Sequence, residues 1–401
     1  MRRHPGLLLL AMVTLSAGCS TSGQDSVSNI VEPARSEVPG IDRVPARLTP
    51  DDDGMLLDTS VSGALRFTVL EQAGEDGPSW SATEVETPGP GIQIAQAEVV
   101  HDGLVVALEC AGTIQVEETT CSGPWSAVAR SLEPGGLDAL SSITIAESGV
   151  LGTSGYPRVR PAGTVGGSAF VVLESVGAVP ATELWELSDG GRTWRRRTAP
   201  VGARDQVCVD TNGVVVSAAV DQSGPAAGTA RPGETSTSAP TREIGLTFAP
   251  LDGADTDVHQ RSLEVARSPD PPRLVCTSDG PALVAATEVV WIQDGDSDDP
   301  IDRARVDLGS PADDLAFRLV GWSPTSPIVT VADSGAGQIE LTAASTDGPV
   351  GDSVTRLQDD ETLRSAAFDR ASETFLGVVS EPVPGHGPDR TAAIISMTAG
   401  G

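Results

Sequence analysis

The feature that most constrains this chain is a hairpin grammar that keeps returning. "AQAEVVHDGLVVALEC" from Ala95, "DQVCVDTNGVVVSAAVD" from Asp205, "PRLVCTSDGPALVAATE" from Pro272, "AFRLVGWSPTSPIVTVADS" from Ala316 and "LRSAAFDRASETFLGVVS" from Leu363 share one plan. Each is an apolar run, a short polar turn, and a second run rich in valine and small residues, which reads as strand–turn–strand. One or two further runs follow, as "VVWIQDGD" and then "RARVDLG" do after Pro272. No segment carries the 3.6-residue period of an amphipathic helix.

The best-resolved starts recur at intervals from the mid-forties to the high sixties of residues, the longest holding an insertion. Four strands repeated at that period are the signature of a β-propeller. A sandwich would be smaller, and a parallel β-helix would repeat at a far shorter period. Small-residue runs such as "SAA" and "LVAA" suit inner strands crowded near an axis. Six starts are clear, and the strands between Met55 and Glu86 leave room for a seventh blade. The expected fold is therefore all-β, a propeller of six to seven four-stranded blades. The last hairpin, followed by "RTAAIISM", lacks a fourth strand, so N-terminal strands near "GALRFTVLEQ" are expected to complete that blade and close the ring.

The N-terminus reads "MRRHPGLLLLAMVTLSAGCS". Two arginines precede an apolar run from Leu7 to Leu15, too short to span a bilayer but right for a signal-peptide core. The "LSAGC" ending resembles a bacterial lipobox, which implies lipidation of Cys19 and a palmitate-type anchor. The domain reading is a lipoprotein signal peptide over 1–18, a flexible tether over 19–53 and a propeller over 54–401. The polar, period-free stretch 221–242 is read as a disordered insertion between two strands of one blade. The chain has no lysine, so its 26 basic residues are all arginine, set against 56 acids for a net charge of −30. That field argues against nucleic-acid partners. Arginine without lysine, with abundant alanine and glycine, also points to a GC-rich, actinobacterial genome.

With Cys19 taken by lipid, Cys110, Cys121, Cys208 and Cys276 remain. An even count in an exported chain without a CxxC pair favours disulfides over a zinc site. Cys110 and Cys121 flank "AGTIQVEETT", and their bridge is expected to staple neighbouring strands of one blade. Cys208 and Cys276 hold the same place in consecutive repeats, so a bridge between adjacent blades is expected.

One hairpin carries a more specific signal. "ELWELSDGGRTWRRRTAP" places Asp189, Gly191, Thr193 and Trp194 in the spacing D-x-G-x-T-W. This resembles the Asp-box of sialidase-type propellers and of related non-enzymatic ones, although Leu187 stands where the family has serine or threonine. The resemblance implies a structural role on the outer part of a blade: the aspartate caps a tight turn, the glycine permits positive φ, and the tryptophan packs beneath. "EDGPSW", with Glu75, Gly77, Ser79 and Trp80, is a degenerate second copy.

The sialidase mechanism implied by that family needs a tyrosine–glutamate pair and three arginines gripping a carboxylate. The single tyrosine, Tyr156, precedes Arg158 and Arg160 in "SGYPRVRPAG" instead of lying far downstream. There is no G-x-S-x-G elbow, no H-E-x-x-H, and no phosphate-binding loop of the lysine-bearing kind. Asp294, Asp296 and Asp298 alternate as early calcium ligands do, but Asp299 and Arg305 stand where a glycine and a glutamate belong. Calcium is the one candidate ion, and no cofactor is expected. The reading is a lipid-anchored module on the outer, extracytoplasmic face of the cell membrane. It binds or scaffolds an envelope protein or glycan without catalysis; the alternative is an Asp-box glycoside hydrolase. "RRR" at 195–197 is read as a strand-face salt-bridge set.

Overall fold

The computed structural model describes the chain from Ile30 to Ala399. Residues 1–29, 37–44, 52–53, 62–63, 73–79, 86–90, 102, 116–119, 134–135, 146–154, 178–180, 199–201, 203–204, 220–240, 252–257, 267–270, 286, 293–301, 309–315, 323–326, 334–336, 371, 383–389 and 400–401 lie outside that description.

The strands follow one another in antiparallel meanders. After β1 (Ile30–Val31) and β2 (Ala34–Ser36), the first meander is β3 (Pro45–Asp51), β4 (Gly54–Val61), β5 (Ala64–Gln72) and β6 (Trp80–Val85). The next is β7 (Gln93–His101) and β8 (Leu104–Cys110), then, beyond a small hairpin of β9 (Ile114–Gln115) and β10 (Thr120–Cys121), β11 (Trp125–Glu133) and β12 (Gly136–Thr144). A third comprises β13 (Gly155–Val165), β14 (Ser168–Gly177), β15 (Ala181–Ser188) and β16 (Thr193–Arg197). A fourth comprises β17 (Gln206–Val209), β18 (Val214–Ala219), β19 (Thr241–Pro250) and β20 (His259–Ala266). Then come β21 (Arg273–Thr277), β22 (Gly280–Val284), β23 (Glu288–Ile292) and β24 (Asp302–Asp307). The last strands are β25 (Ala316–Gly321), β26 (Ile328–Asp333), β27 (Gln338–Ser345), β28 (Gly348–Arg356), β29 (Thr362–Asp369), β30 (Thr374–Glu381) and β31 (Arg390–Thr398). Among the described residues six sheets have four strands, and the β25–β28 sheet gains β1 as a fifth, parallel to β28. This is an all-β propeller of four-stranded blades.

The core lies between sheets, not within one layer. Phe170, Leu184, Val207 and Val215 pack the third sheet on the fourth. Phe248, Leu246 and Leu283 pack the fourth on the fifth, and Phe368, Phe375, Leu341 and Ile395 join the last two. A sheet covered on both faces wants continuous apolar strands instead of alternating ones. Accordingly "LVVALEC" and "EVVWI" are buried along their whole length. Glu109, the one charge in the first of these, meets Arg130 Nε at 2.5 Å, and Arg130 also donates to Leu137 O at 2.7 Å. A charge in such a place is tolerated only when paired and hydrogen-bonded.

Three sequence expectations change. Strands begin at Ile30, so β1, β2 and β3 lie within the stretch read as a tether over 19–53. Short edge strands held by main-chain bonds need no apolar period, which is why composition hid them. The fourth partner of the last hairpin is β2, in register Ala34↔Ser396, Arg35↔Ile395 and Ser36↔Ile394. "GALRFTVLEQ" supplies β5, the third strand of its own sheet. Finally, Thr241 and Arg242 belong to β19, so the insertion between β18 and β19 ends by residue 240, and its interior lies outside the described residues.

The cysteines pair as expected, with one difference of placement. Cys208 and Cys276 sit on β17 and β21, the adjacent first strands of two sheets, with Cα atoms 5.5 Å apart. Cys110 bonds Cys121 at a Cα separation of 5.7 Å. Cys121 lies on β10, in the two-stranded hairpin beyond β8, so this bridge pins an excursion to a blade instead of stapling two blade strands.

Candidate functional site

Two regions of the molecule carry chemistry that could face a ligand: the Asp189–Trp194 hairpin and the first strands around the axis.

The hairpin joins β15 to β16, the two strands furthest from β13 in their sheet. Gly191 and Arg192 donate their amides to Ser188 O, both at 3.1 Å. Asp189, Gly190 and Gly191 take φ values of 54°, 63° and 85°. Asp189 Oδ2 accepts the Thr193 hydroxyl at 2.9 Å, so the carboxylate braces the far side of the turn. Gly191 is buried because the turn presses on the preceding blade: a Cβ there would lie 2.5 Å from a Leu104 methyl, and Ser141 on β12 donates to Gly191 O. Trp194 packs edge-on against Trp185 with ring centroids 6.2 Å apart. The sequence reading named the turn and the tryptophan packing; the inter-blade contact of Gly191 needs a neighbour that sequence does not show.

The three arginines of β16 divide. Arg197 reaches Glu186 at 2.6 Å, with both side chains largely buried. Arg196 reaches Glu183 at 2.7 Å, although its own side chain is 54 % exposed. Glu183 also accepts the Trp185 indole at 3.0 Å. Arg195 stands opposite Glu186 in register and is exposed. The salt-bridge set thus holds for Arg196 and Arg197.

Around the axis, the first strand of each sheet lies beside the first strand of a neighbour, as β13 does with β7 and β17. An edge strand leaves one row of amides and carbonyls unpaired. Here side chains fill that need across the gap. Gln96 on β7 donates to Val159 O at 2.7 Å and accepts from Val159 N–H at 3.1 Å. Gln206 on β17 repeats the clamp, donating to Pro272 O at 3.2 Å and accepting from Leu274 N–H at 2.6 Å. Arg318 on β25 donates to Leu363 O on β29. The Gln206 clamp joins the same two strands as the Cys208–Cys276 bridge, whose Cys276 sulfur sits 3.6 Å from Val207 O.

Several first strands carry an exposed arginine. On β13, β21, β25 and β29, the one exposed residue among those whose side chains are described is Arg158, Arg273, Arg318 or Arg364 in turn. Arg364 donates to the Ser380 hydroxyl at 2.7 Å, and Arg160 pairs with Glu174. Where the Arg318 guanidinium reaches under its neighbour, desolvation lowers its pKa from the ordinary value; the Arg364 charge adds to that, and Asp333 opposes it. The sequence carries the same pattern: "PRVR", "PRLV", "FRLV" and "LRSA" each set an arginine into the first apolar run of a repeat, and β3 has Arg47 in "PARLT".

Tyr156 lies on β13, two residues before Arg158, with its side chain outside the described residues. Cys19, Asp294, Asp296, Asp298, Glu75, Gly77 and Ser79 also lie outside them. Among the described residues no group of three or more His, Cys, Asp or Glu side chains is placed to hold a metal ion, and no helix is long and apolar enough to cross a membrane.

No family model matches the chain, and no curated protein matches it. Among solved structures it is similar to a chain of a mitotic checkpoint complex, at 11 % identity and a TM-score of 0.47, covering 98 % of this chain and 99 % of that one. It is similar to the WD40 repeats of RRP9 at 10 % identity and a TM-score of 0.47, covering 92 % and 97 %. A prolyl endopeptidase is matched over 89 % of this chain and 50 % of that one, at 9 % identity and a TM-score of 0.48. At such identities the propeller rests on the chain's own sheets and registers.

Proposed function

We propose that the protein is a non-catalytic binding or scaffolding propeller, held by a lipid on Cys19 to the outer face of the cell membrane, with an envelope protein or glycan as its partner. The observation that carries this reading is where the polar groups of the motif-bearing hairpin go. Asp189 holds Thr193, Glu186 holds Arg197 and Glu183 holds Arg196, so the side chains that suggested a catalytic loop are committed to the blade itself. Two disulfides support an oxidising compartment outside the cytoplasm. The "LSAGC" sequence supports the anchor.

We read the ring as seven blades, the β25–β28 sheet counting with the six of four strands. β2 completes the last, and β29 lies beside β3 to close the circle. Closure of that kind gives a rigid body, which suits a docking platform.

The experiment is capture of partners by the membrane-anchored chain, run beside Cys19→Ala and beside a fluorogenic sialoside assay. The wild type is expected to fractionate with membranes and retain a partner through stringent washing, and Cys19→Ala to release it. Membrane retention of Cys19→Ala would refute the anchor. Sialoside turnover abolished by Tyr156→Phe would overturn the non-catalytic reading.

A further inference from the structure

We propose that the propeller faces the membrane along one rim, the outer edge where β1 lies on β28 and β2 on β31. This orientation rests on the lipid anchor at Cys19 proposed above. Its first support is where the anchored end of the chain joins the fold. Ile30 and Val31 pair with Val354 and Thr355 on β28, and Ala34, Arg35 and Ser36 pair with β31. The chain therefore enters at the outer strands of two packed sheets, away from β25 and β29, which lie beside each other at their inner ends. Side chains fix the entry. The Thr355 hydroxyl, on a fully buried residue, donates to Val31 O at 2.8 Å, and Arg35 meets Glu361 at 2.5 Å.

Length is the second. Ile30 lies eleven residues after Cys19, and eleven residues span at most about 40 Å however they are arranged. A compact body of roughly 370 residues has a radius of gyration of about 21 Å, so it is about 50 Å across. With the opposite rim on the bilayer, Ile30 would stand further from Cys19 than the chain between them can reach. Surface chemistry is the third. Ile30 and Ile92 are the large apolar side chains left exposed among the described residues, and Ile30, 49 % exposed, stands at the entry point. Arg356, at the end of β28, is exposed as well. An apolar side chain near a cation suits the headgroup boundary. Exposed Asp359 and Asp360 in the turn after β28 keep that contact at the surface, and a net charge of −30 sets the rest of the body off from anionic lipid.

The test places a benzophenone side chain at position 30, 352 or 195 of the full chain in its own membranes, and reads lipid adducts by mass spectrometry after irradiation. Asp352 is exposed on β28; Arg195 is exposed on β16, with the fourth and fifth sheets between. Adducts are expected at 30 and 352 and only background at 195. Asp352 lies off the N-terminal strap, so its reading stands even where replacement of Ile30 loosens β1. Adducts at 195 equal to those at 352, or none at 352 in chains that sediment with membranes, would overturn the orientation and leave the anchor standing. A wild-type chain that does not sediment with membranes would remove the anchor, and the orientation with it.

Discussion

Two glycines show how closely the first strands approach one another. Gly163, at φ 114° beside a register shift in β13, faces Val209 O on β17, where an added Cβ would lie 2.2 Å away. Gly321, beside the matching shift in β25, faces Ala366 O on β29 at 1.7 Å. Gly280 shares the φ of Gly163, 114°, but a Cβ there would meet nothing within 4 Å. Gly280→Ala therefore isolates backbone strain, about 1 kcal/mol, whereas Gly163→Ala adds a backbone collision and should cost about 3 kcal/mol. Denaturant unfolding of the two variants checks this, and equal losses would mean the strands separate freely. At this scale sequence was informative for local chemistry and silent on neighbours. The Cys208–Cys276 pair and the φ of Gly191 follow from motif position, but the clamps of Gln96 and Gln206 span 63 and 68 residues, so no local pattern marks them.

At the scale of elements, the N-terminal strap is a short join that covers the edge of the last sheet. β2 contributes three registered pairs to β31, assisted by Arg35, which meets Glu361 at 2.5 Å, and by the Thr355 hydroxyl, which donates to Val31 O at 2.8 Å. Without it β31 becomes an open edge, which invites pairing with another chain. Removal of residues 1–36 is expected to lower the melting temperature and to produce dimers or larger species in size-exclusion chromatography, whereas removal of residues 1–29 should do neither. An equally stable, monomeric 1–36 deletion would show that the edge needs no cover. The hairpins of β7–β8, β17–β18, β21–β22, β25–β26 and β29–β30 were legible because turn chemistry is local. β1 and β2 were not, because five residues of ordinary polarity become strands only once a distant edge receives them.

At the scale of the molecule, stability is spread over the gaps between blades, and the Cys208–Cys276 bridge crosses one such gap with 68 residues of separation. In the chain-entropy account a loop of that size contributes about 4 kcal/mol. Reduction should lower the midpoint of denaturant unfolding, and most of that loss should persist in Cys208→Ser, while Cys121→Ser, which releases an 11-residue excursion, should cost less. A larger loss from Cys121→Ser would reverse the assignment of the structural bridge. The propeller itself was readable from repeat period, since each blade is a local meander. The bonds between first strands, such as that of Arg318 to Leu363 O, were not readable, because they join repeats that only the ring brings side by side.

The meeting of β2 with β31 also has a topological reading. Residues 34–36 and 394–396 are cross-strand neighbours, so an early strand and the last strand of the described chain share one sheet. A loop linking the end of β31 to the start of β2, with new termini opened between β18 and β19, would therefore leave every sheet register intact except the two-residue pairing of β1 with β28. The order in which the blades are translated is then incidental to the architecture, and fusions made at the end of β31 or at the start of β2 would report from neighbouring points.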